Sequence, residues 1–264
     1  MTIKSHLRGR ILINCSVKAL TGMHIGGSST GLEIGGVDNT IIRDPLSGAP
    51  YIPGSSLRGK MRSQLEKTLG LKQNAHIGKD VAIHSCKTRD EYDAKGGCPV
   101  CHIFGVPGEA EASGPTLLIV RDIPMSEATK ESLNRANTDL AYTELKTEVA
   151  IDRVTSAATP RTLERVPAGA VFSPAELVFS VYQDEDFARL RHVIDGLQLL
   201  EDDYLGGYGS RGSGKVKFQD LTVSVRFSET YGQLEKFKTF ATLQELEASY
   251  DALMSWIKSI IKME

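Results

Sequence analysis

The segment Arg10-Ile-Leu-Ile-Asn-Cys-Ser-Val-Lys-Ala19 decides the fold, because apolar and polar side chains alternate along it. Such a period of two is typical of a strand with one buried face. The apolar positions of this alternation are Ile11, Ile13, Cys15, Val17 and Ala19. The sequence therefore predicts a half-buried strand here, and we interpret Cys15 as a core residue.

Two segments farther along the chain show the spacing of amphipathic helices. The first begins at Pro53-Gly-Ser-Ser56, which provides a capping residue, and ends near Gly70. Its apolar residues recur every four positions, and they are Leu57, Met61, Leu65 and Leu69. The second helix precedes Gly206, and its apolar residues are Phe187, Leu190, Ile194, Leu197 and Leu200.

Further strands are predicted at 116–123, 176–182 and 214–227, the last with a bulge near Gln219-Asp220. The order strand, helix, strand, strand, helix, strand is typical of ferredoxin-like (RRM-like) domains, in which two helices back an antiparallel sheet. We therefore expect an α+β fold in which residues 1–264 form a single RRM-like domain. Two insertions interrupt it, and a C-terminal helical segment follows; they span 72–114, 136–174 and 228–264, with the final helix over 243–262.

The composition is that of an ordinary folded protein, since 41% hydrophobic and 24% charged residues exclude the disordered class. The sequence has no run of about 18 apolar residues and no secretory signal, so we expect a cytoplasmic protein without a membrane partner. With 31 basic and 33 acidic residues, the net charge of −2 by itself argues against a nucleic-acid partner. Residues 53–67 and 206–217 are nevertheless locally cationic, which fits either a nucleic-acid interface or ordinary solvated faces.

The first insertion contains His84-Ser-Cys86 and Cys98-Pro-Val-Cys101, which have the spacing of a tetrahedral metal site. Three of the four cysteines of the chain fall within residues 86–101, so simple buried thiols are the weaker alternative. Four protein ligands leave no open position for a substrate, which indicates a structural zinc ion. The predicted ligands are His84, Cys86, Cys98 and Cys101, with His76 and His102 as alternatives to His84.

A glycine-rich segment, Gly206-Gly-Tyr-Gly-Ser-Arg-Gly-Ser-Gly-Lys215, lies between the second helix and the last strand. Its backbone N–H groups can approach and hold phosphate oxygens, while Arg211 and Lys215 supply positive charge. The segment matches neither nucleotide-binding fingerprint, because it precedes a strand and lacks the P-loop pattern. From these residues alone, a phosphate-binding loop and an ordinary glycine-rich turn both remain open.

Four segments occur in a specific order along residues 11–227. They are Leu20-Thr-Gly-Met-His-Ile-Gly-Gly27, Gly36-Val-Asp-Asn39, Ile52-Pro-Gly-Ser-Ser-Leu-Arg-Gly-Lys-Met-Arg62 and Leu205-Gly-Gly-Tyr-Gly-Ser-Arg-Gly-Ser-Gly-Lys215. Together they resemble the backbone subunit of type III-A (Csm) CRISPR effector complexes, a family of the RAMP superfamily. The resemblance implies copies that stack head to tail along guide CRISPR RNA, beside other subunits of the complex. Each copy would have a ferredoxin-like palm and a thumb that interrupts the duplex of guide and single-stranded target RNA.

The resemblance assigns target cleavage to Asp38, the aspartate of the Gly-x-x-Asp segment. RNA can be cleaved by its own 2′-hydroxyl, so one carboxylate can suffice, directly or through a divalent cation such as magnesium or manganese. RNA contacts are expected from the histidine segment, the first helix and the glycine-rich loop: His24, Ser55, Ser56, Arg58, Lys60, Arg62, Gly207, Gly209, Ser210, Arg211, Gly212 and Lys215.

The stretch 144–165 resembles the thumb of this family, whose apolar tip, Ile151 or Val154, would wedge between stacked bases. The residues of this stretch expected to contact RNA are Ile151, Arg153, Arg161 and Arg165. A mobile loop with incidental arginines is the alternative interpretation.

Two other functions remain open. A guide-RNA scaffold of the same superfamily that lacks cleavage would not aim Asp38 at the target strand. A zinc-dependent DNA-binding regulator would use the Cys–His segment, where positive and negative charges are balanced, and such a balance suits a phosphate surface poorly. The charged residues there are Lys87, Arg89 and Lys95 against Asp90, Glu91 and Asp93.

Overall fold

The computed structural model describes residues 6–27, 39–79, 81–108, 114–136 and 138–262, which form a mixed α/β fold. Its strands are β1 (Gly9–Ala19), β2 (Tyr51–Ile52), β3 (Ala75–Ile77), β4 (Val81–Ile83), β5 (Leu118–Val120), β6 (Ile123–Pro124), β7 (Glu144–Ile151), β8 (Ala158–Arg165), β9 (Val171–Val181), β10 (Val216–Phe227) and β11 (Glu235–Thr242). Its helices are α1 (Gly54–Thr68), α2 (Arg89–Asp93), α3 (Pro99–Phe104), α4 (Glu127–Ala136), α5 (Glu185–Asp202), α6 (Leu243–Ala248) and α7 (Tyr250–Ile260).

A five-stranded sheet in the order β11-β10-β1-β9-β5 forms the centre, and each neighbouring pair in it is antiparallel. The prediction of an antiparallel sheet is therefore confirmed. β1 lies in the middle, and its residues alternate between buried and half-buried along the whole strand. Cys15 is 5% exposed on the buried side, where burial raises the pKa of its thiol to about 12.

Helices α1 and α5 pack against each other and against the apolar face of this sheet. Their buried side chains follow the predicted spacing and are at most 2% exposed: Leu57, Met61 and Leu65 on α1, and Leu190, Ile194, Leu197 and Leu200 on α5. Full burial of one such side chain contributes about 1.5–3 kcal/mol to folding. Only Leu69 departs from the prediction, because it lies at the C-cap of α1 and is exposed.

The start of α1 differs from the predicted serine cap. The helix begins at Gly54, and its N-cap, Pro53, makes no side-chain capping hydrogen bond. Instead, the Gly54 N–H donates to Oδ1 of Asp122 at 2.7 Å. The helix dipole favours a carboxylate at this position, but Asp122 is 68 residues away in sequence, so no local pattern marks it.

The bulge predicted near Gln219-Asp220 is confirmed. Asn14 pairs with Thr222 and Ser16 pairs with Gln219, so β10 has one residue more than β1 over this stretch. Asp220 adopts a φ of +54°, in the left-handed region that aspartate tolerates better than most residues.

The C-terminal segment, which was predicted to be helical, also contains a strand, β11. β11 pairs with β10, and the pairing shifts between Thr222 and Ser224. Because of this irregularity, the buried Phe240 and the half-buried Phe237 are three residues apart instead of following a period of two. The predicted final helix is divided into α6 and α7 at Ser249. Among the described helices, none is long and apolar enough to cross a membrane.

Candidate nucleic-acid interface and metal centre

Three segments that are distant in sequence meet at one end of β1, in a region that we call the loop junction. They are residues 21–27, the base of the β7–β8 hairpin and the loop between α5 and β10. The Gly207 N–H donates to the His24 carbonyl at 2.8 Å, and the Met23 N–H donates to the Val166 carbonyl at 2.9 Å. The structure therefore brings the histidine segment, the hairpin and the glycine-rich loop side by side.

Glu164 of β8 is buried at the loop junction, with 2% of its surface exposed, and it connects the segments there by hydrogen bonds. Its carboxylate accepts hydrogen bonds from Ile41 N at 3.0 Å, Arg43 Nη2 at 2.5 Å and Thr143 Oγ1 at 2.7 Å. A buried carboxylate is stable only with such partners. No local sequence pattern marks Glu164, because up to 123 residues separate it from these groups.

Asp38, the predicted catalytic residue, lies outside the residues that the structure describes. The residue that follows it, Asn39, forms a parallel bridge with Leu163, and the Glu164 N–H donates to the Asn39 carbonyl at 3.3 Å. The Gly27 N–H donates to the Thr40 carbonyl at 3.1 Å. The described residues that flank 28–38 are therefore anchored at the loop junction on both sides.

His24 is 6% exposed at the loop junction. Its Nδ1 lies 2.7 Å from the Glu164 carbonyl, which assigns the donated proton to Nδ1 because a carbonyl can only accept. The ring of Tyr208 meets the imidazole edge-on, with 5.2 Å between the ring centroids. The described contacts of His24 position the junction, and its contact with RNA stays a prediction.

The glycine-rich loop requires glycine where it approaches other backbone closely. Gly206 and Gly214 have φ values of +85° and +87°. A Cβ atom on Gly206 would overlap the His24 carbonyl, and one on Gly214 would overlap the Leu205 carbonyl. Gly206 therefore lets the loop approach the backbone of His24, and Gly214 lets it approach the backbone of Leu205.

We expect Gly206→Ala to destabilise the protein more than Gly212→Ala does. Both glycines have similar φ values, +85° and +83°, so the two variants share the backbone strain. A Cβ atom on Gly206 would overlap the His24 carbonyl, whereas no atom lies within 4 Å of a Cβ built on Gly212. We expect the two unfolding free energies to differ by about 1–3 kcal/mol, measured by equilibrium denaturation. Equal losses of unfolding free energy in the two variants would show that the approach of Gly206 to the His24 carbonyl does not exclude a Cβ atom at position 206.

The polar groups of the glycine-rich loop lie beside the hairpin. Ser210, Arg211 and Lys215 are exposed. Arg211 Nη1 lies 3.5 Å from Glu148 Oε2, and Lys146 Nζ donates to the Arg211 carbonyl at 3.4 Å. Arg211 therefore lies beside strand β7. The other loop residues predicted to contact RNA, Gly207, Gly209 and Gly212, lie in the same turn.

The residues of α1 predicted to bind RNA have different environments. Ser55 is exposed and Ser56 is half-buried in the first turn. Lys60 Nζ lies 2.8 Å from Asp203 Oδ2 and 3.6 Å from the centroid of the Tyr204 ring. The charge of Lys60 is therefore partly neutralised within the chain.

The half-buried Arg58 and Arg62 of α1 donate hydrogen bonds to backbone carbonyls of the first insertion. Arg58 Nη2 donates to the Phe104 carbonyl at 2.5 Å, and Arg62 Nη2 donates to the His84 carbonyl at 2.6 Å. The Arg62 side chain is 11% exposed. These hydrogen bonds engage part of each guanidinium, so a phosphate would have to compete with them or use the remaining N–H donors.

The stretch that resembles a thumb is a β7–β8 hairpin, paired continuously from Glu144–Arg165 to Ile151–Ala158. At its tip, Val154 is 92% exposed, and Ile151 beside the tip is 60% exposed. The Asp152 carboxylate accepts the Thr155 N–H at 2.7 Å and the Val154 N–H at 2.9 Å, and these bonds lower the pKa of Asp152. The turn therefore presents an apolar side chain to solvent in a defined conformation.

The hairpin arginines are placed unequally. Arg153 at the tip and Arg161 on β8 are exposed. Arg165 at the base forms an ion pair with Glu144, with 2.6 Å between Nε and Oε1. The two outer arginines are therefore more accessible to a phosphate than the third.

The four predicted metal ligands, His84, Cys86, Cys98 and Cys101, come together in the first insertion, and their ligand atoms all lie within 4.8 Å of one another. His84 Nε2 is 3.7 Å from Cys86 Sγ and 3.4 Å from Cys98 Sγ. Cys98 is the N-cap of α3 and Cys101 lies in its first turn. One nitrogen and three sulfurs at this spacing fit the donor set of a tetrahedral zinc site.

His84, and neither His76 nor His102, lies among the thiols. Its Nδ1 donates to the Lys72 carbonyl at 3.0 Å, which leaves Nε2 free to bind a metal. His102 instead places Nε2 3.2 Å from the Tyr92 carbonyl and stacks on the Tyr92 ring. His76 is exposed on β3. The geometry therefore favours His84 among the three histidines that the sequence left open.

The thiols of the cluster need a cation if all three are to ionise. Burial raises the pKa of the Cys86 thiol to about 11. A hydrogen bond from Cys101 lowers the pKa of the Cys98 thiol to about 4. One thiolate therefore forms readily, and a bound dication would be required to deprotonate the other two.

Comparison with known proteins identifies the family. Residues 16–217 match the family model of the RAMP superfamily. The CRISPR system Cms endoribonuclease Csm3 of Methanothermobacter thermautotrophicus is 40% identical over 232 residues, which are 83% of this chain and 88% of that protein. The Csm3 of Methanocaldococcus jannaschii is 37% identical over 258 residues, which are 95% of this chain and 97% of that protein. The chain belongs to the Csm3 family of the RAMP superfamily.

Solved structures agree with membership of the Csm3 family. A chain of the Csm3-Csm4 subcomplex in the type III-A CRISPR-Cas interference complex superposes with a TM-score of 0.61 at 30% identity, covering 94% of this chain and 97% of that one. The Csm3 of Methanopyrus kandleri superposes with a TM-score of 0.67, covering 95% and 98%. At 22% identity, the second comparison shows the fold alone.

Proposed function

We propose that this chain binds guide CRISPR RNA as a backbone subunit of a type III-A effector complex and cleaves complementary target RNA at regular intervals. The observation that carries the proposal is membership of the Csm3 family, since relatives aligned over 83% and 95% of the chain are named endoribonucleases. The similarity to a chain of the Csm3-Csm4 subcomplex supports a place beside other type III-A subunits. Copies of the chain would stack head to tail along the guide.

The loop junction supports a role in RNA binding. Exposed cations lie on its hairpin and on its glycine-rich loop: Arg153, Arg161, Arg211 and Lys215. Such cations neutralise phosphates without reading sequence. The exposed Ile151 and Val154 would insert between stacked bases, with unstacking offset by contacts to the side chains. His24, Ser55, Ser56 and Lys60 would complete the contacts to the guide.

Asp38 is the proposed catalytic residue, and the anchoring of the adjacent Asn39 at the hairpin base supports its placement at this site. The chain would hold the target strand so that a 2′-hydroxyl lies in line with the scissile phosphate. The carboxylate would then assist proton transfer, directly or with a divalent cation, magnesium or manganese.

We also propose that β1, α1, β5, β9, α5 and β10 form a ferredoxin-like palm. Their order in the chain, and the order β10-β1-β9-β5 in the sheet, support this assignment. The palm would carry the zinc-bearing insertion at 72–114 and the thumb insertion at 136–174.

The Cys–His cluster is proposed to hold one structural zinc ion through His84, Cys86, Cys98 and Cys101. A role in DNA recognition is disfavoured because Arg89, beside the cluster, is paired with Asp93 at 2.5 Å. The metal would stabilise the insertion, which has only a small apolar cluster of its own.

We expect Lys215→Ala to weaken binding to every single-stranded RNA alike and to reduce the slope of log K against log salt by about 0.7, the value for one phosphate contact. Lys215 is exposed on the glycine-rich loop, so its loss should leave the fold intact. Filter binding on unrelated sequences at several salt concentrations measures the effect. Lys67→Ala, which removes an exposed cation at the far end of α1, is the matched control. A wild-type chain that binds no RNA at any salt concentration would contradict the function itself.

A further inference from the structure

We propose that Arg62 is a positioning residue that fastens the metal-binding insertion to helix α1, and that it makes no contact with RNA phosphate. The inference about the insertion stands on the geometry of the chain. The inference about RNA rests on the function proposed above.

All three nitrogens of the Arg62 guanidinium donate hydrogen bonds to the insertion or to helix α1. Nη2 donates to the His84 carbonyl at 2.6 Å, and Nη1 donates to the Gly105 carbonyl at 3.1 Å. Nε donates to Oε1 of Glu66 at 2.9 Å, and Glu66 is 2% exposed. His84 contributes a ring to the Cys–His cluster, and Gly105 directly follows α3, the helix that contains Cys101. One side chain therefore joins both sides of the cluster to α1.

Arg58 strengthens the same attachment one turn earlier on α1. Its Nη2 donates to the Phe104 carbonyl at 2.5 Å, and its guanidinium lies 5.6 Å from the centroid of the Phe104 ring. The last carbonyls of a helix have no partner within that helix, and at the end of α3 they accept hydrogen bonds from Arg58 and Arg62. A phosphate that drew these guanidiniums away would leave the carbonyls unpaired.

The insertion is also attached to the second palm helix. Arg189 of α5 is 4% exposed, and its Nη2 donates to the Gly96 carbonyl at 2.6 Å. Its Nη1 donates to Oδ1 of Asp186 at 2.5 Å. Arginines from α1 and α5 thus hold the insertion on two sides. Release of the metal would therefore loosen contacts between the insertion and α1, the helix whose first turn contains Ser55 and Ser56.

Arginine suits this role because its planar guanidinium carries five N–H donors in a fixed fork. A lysine at position 62 would keep the positive charge but could not reach the His84 carbonyl, the Gly105 carbonyl and Glu66 together. A phosphate contact made through charge alone would survive that substitution. Arg62→Lys therefore separates the two roles without removing the charge.

The test compares full-length wild type, Arg62→Ala, Arg62→Lys and the control Lys67→Ala, each loaded with zinc. The rate of zinc release to a chelating dye is measured first. We expect both Arg62 variants to release zinc at least about 10-fold faster, as for other groups that orient metal ligands. Lys67→Ala should match the wild type. Wild-type release from Arg62→Lys would overturn the proposal, even if Arg62→Ala failed to fold.

The second measurement is the salt slope of RNA binding by the same proteins. We expect the slope of Arg62→Lys and Arg62→Ala to equal that of the wild type, in contrast to the reduced slope of Lys215→Ala. A slope reduced by about 0.7 in Arg62→Ala, with unchanged zinc release, would assign Arg62 to a phosphate. If the wild type bound no RNA, the proposed function would fail, while zinc release would still decide whether Arg62 holds the insertion.

Discussion

Asp38→Ala is expected to abolish target-RNA cleavage in the assembled complex, with a loss of at least about 100-fold, the lower end for a group that assists proton transfer. Guide binding, assembly and target binding should be nearly unchanged. A carboxylate near a scissile phosphate repels the charge of the bound substrate and contributes to the transition state rather than to the ground state. The neighbouring Asn39 is held by its own backbone, through the hydrogen bond from the Glu164 N–H, so the substitution leaves that anchor in place.

The assay follows labelled target RNA in complexes that contain wild type, Asp38→Ala or Asp38→Asn, each with and without a chelator. Asn keeps the size of the side chain and removes its charge, so both variants should be inactive if the carboxylate acts. Cleavage by the wild type should require a divalent cation and should occur at regularly spaced positions, one for each copy of the chain. Persistent cleavage by both variants would move catalysis to His24 or to another subunit. Loss of target binding together with cleavage would give Asp38 a structural role.

The sequence predicted those parts of the fold that depend on local periodicity. The alternation in β1 and the four-residue repeat in α1 each indicate which face of the element packs against the core. The predicted face of each element is buried. The bulge at Asp220 was also predictable, because it changes the parity of the apolar residues within one strand. β11 was missed for the converse reason, since its irregular pairing with β10 breaks the period of two.

The sequence could not predict groups whose partners are brought together only by the tertiary structure. Asp122 caps α1 from 68 residues away, and Glu164 accepts the Ile41 N–H from 123 residues away. The same limit applies to the hydrogen bonds that the arginines of α1 donate to the carbonyls of Phe104 and His84. The spacing of these arginines on a cationic helix did not indicate such partners. Charge in a sequence does not reveal which groups surround an arginine in the folded chain.

The metal cluster could be predicted in part from the sequence. The spacing of the cysteines predicted three ligands, because two residues between Cys98 and Cys101 place both thiols on one side of a short helix. Spacing favoured His84, which lies two residues before Cys86, but it left His76 and His102 open, and His102 directly follows Cys101. Adjacent residues of a helix point about 100° apart, and the ring of His102 stacks on Tyr92 instead.

Cys101→Ser is expected to remove zinc from the protein and to lower its stability strongly. Cys101 is fully buried, and its Sγ accepts the Cys86 N–H at 3.3 Å, so serine at this position would leave the cluster one thiolate short. A ligand present at a thousandfold excess over its Kd contributes about 4 kcal/mol to stability. In a chain of this size, that contribution corresponds to a fall in Tm of roughly 10 °C.

The measurement combines metal analysis of the purified variant with thermal unfolding in the presence and absence of added zinc. His84→Ala should behave like Cys101→Ser, because the His84 ring lies among the thiols. His76→Ala is the matched control, since that imidazole is exposed on β3 and should retain both zinc and Tm. Added zinc should raise the Tm of metal-depleted wild type and of His76→Ala but not that of Cys101→Ser. A Cys101→Ser protein with full zinc content, or a metal-free wild type of undiminished stability, would contradict a structural zinc site in this insertion.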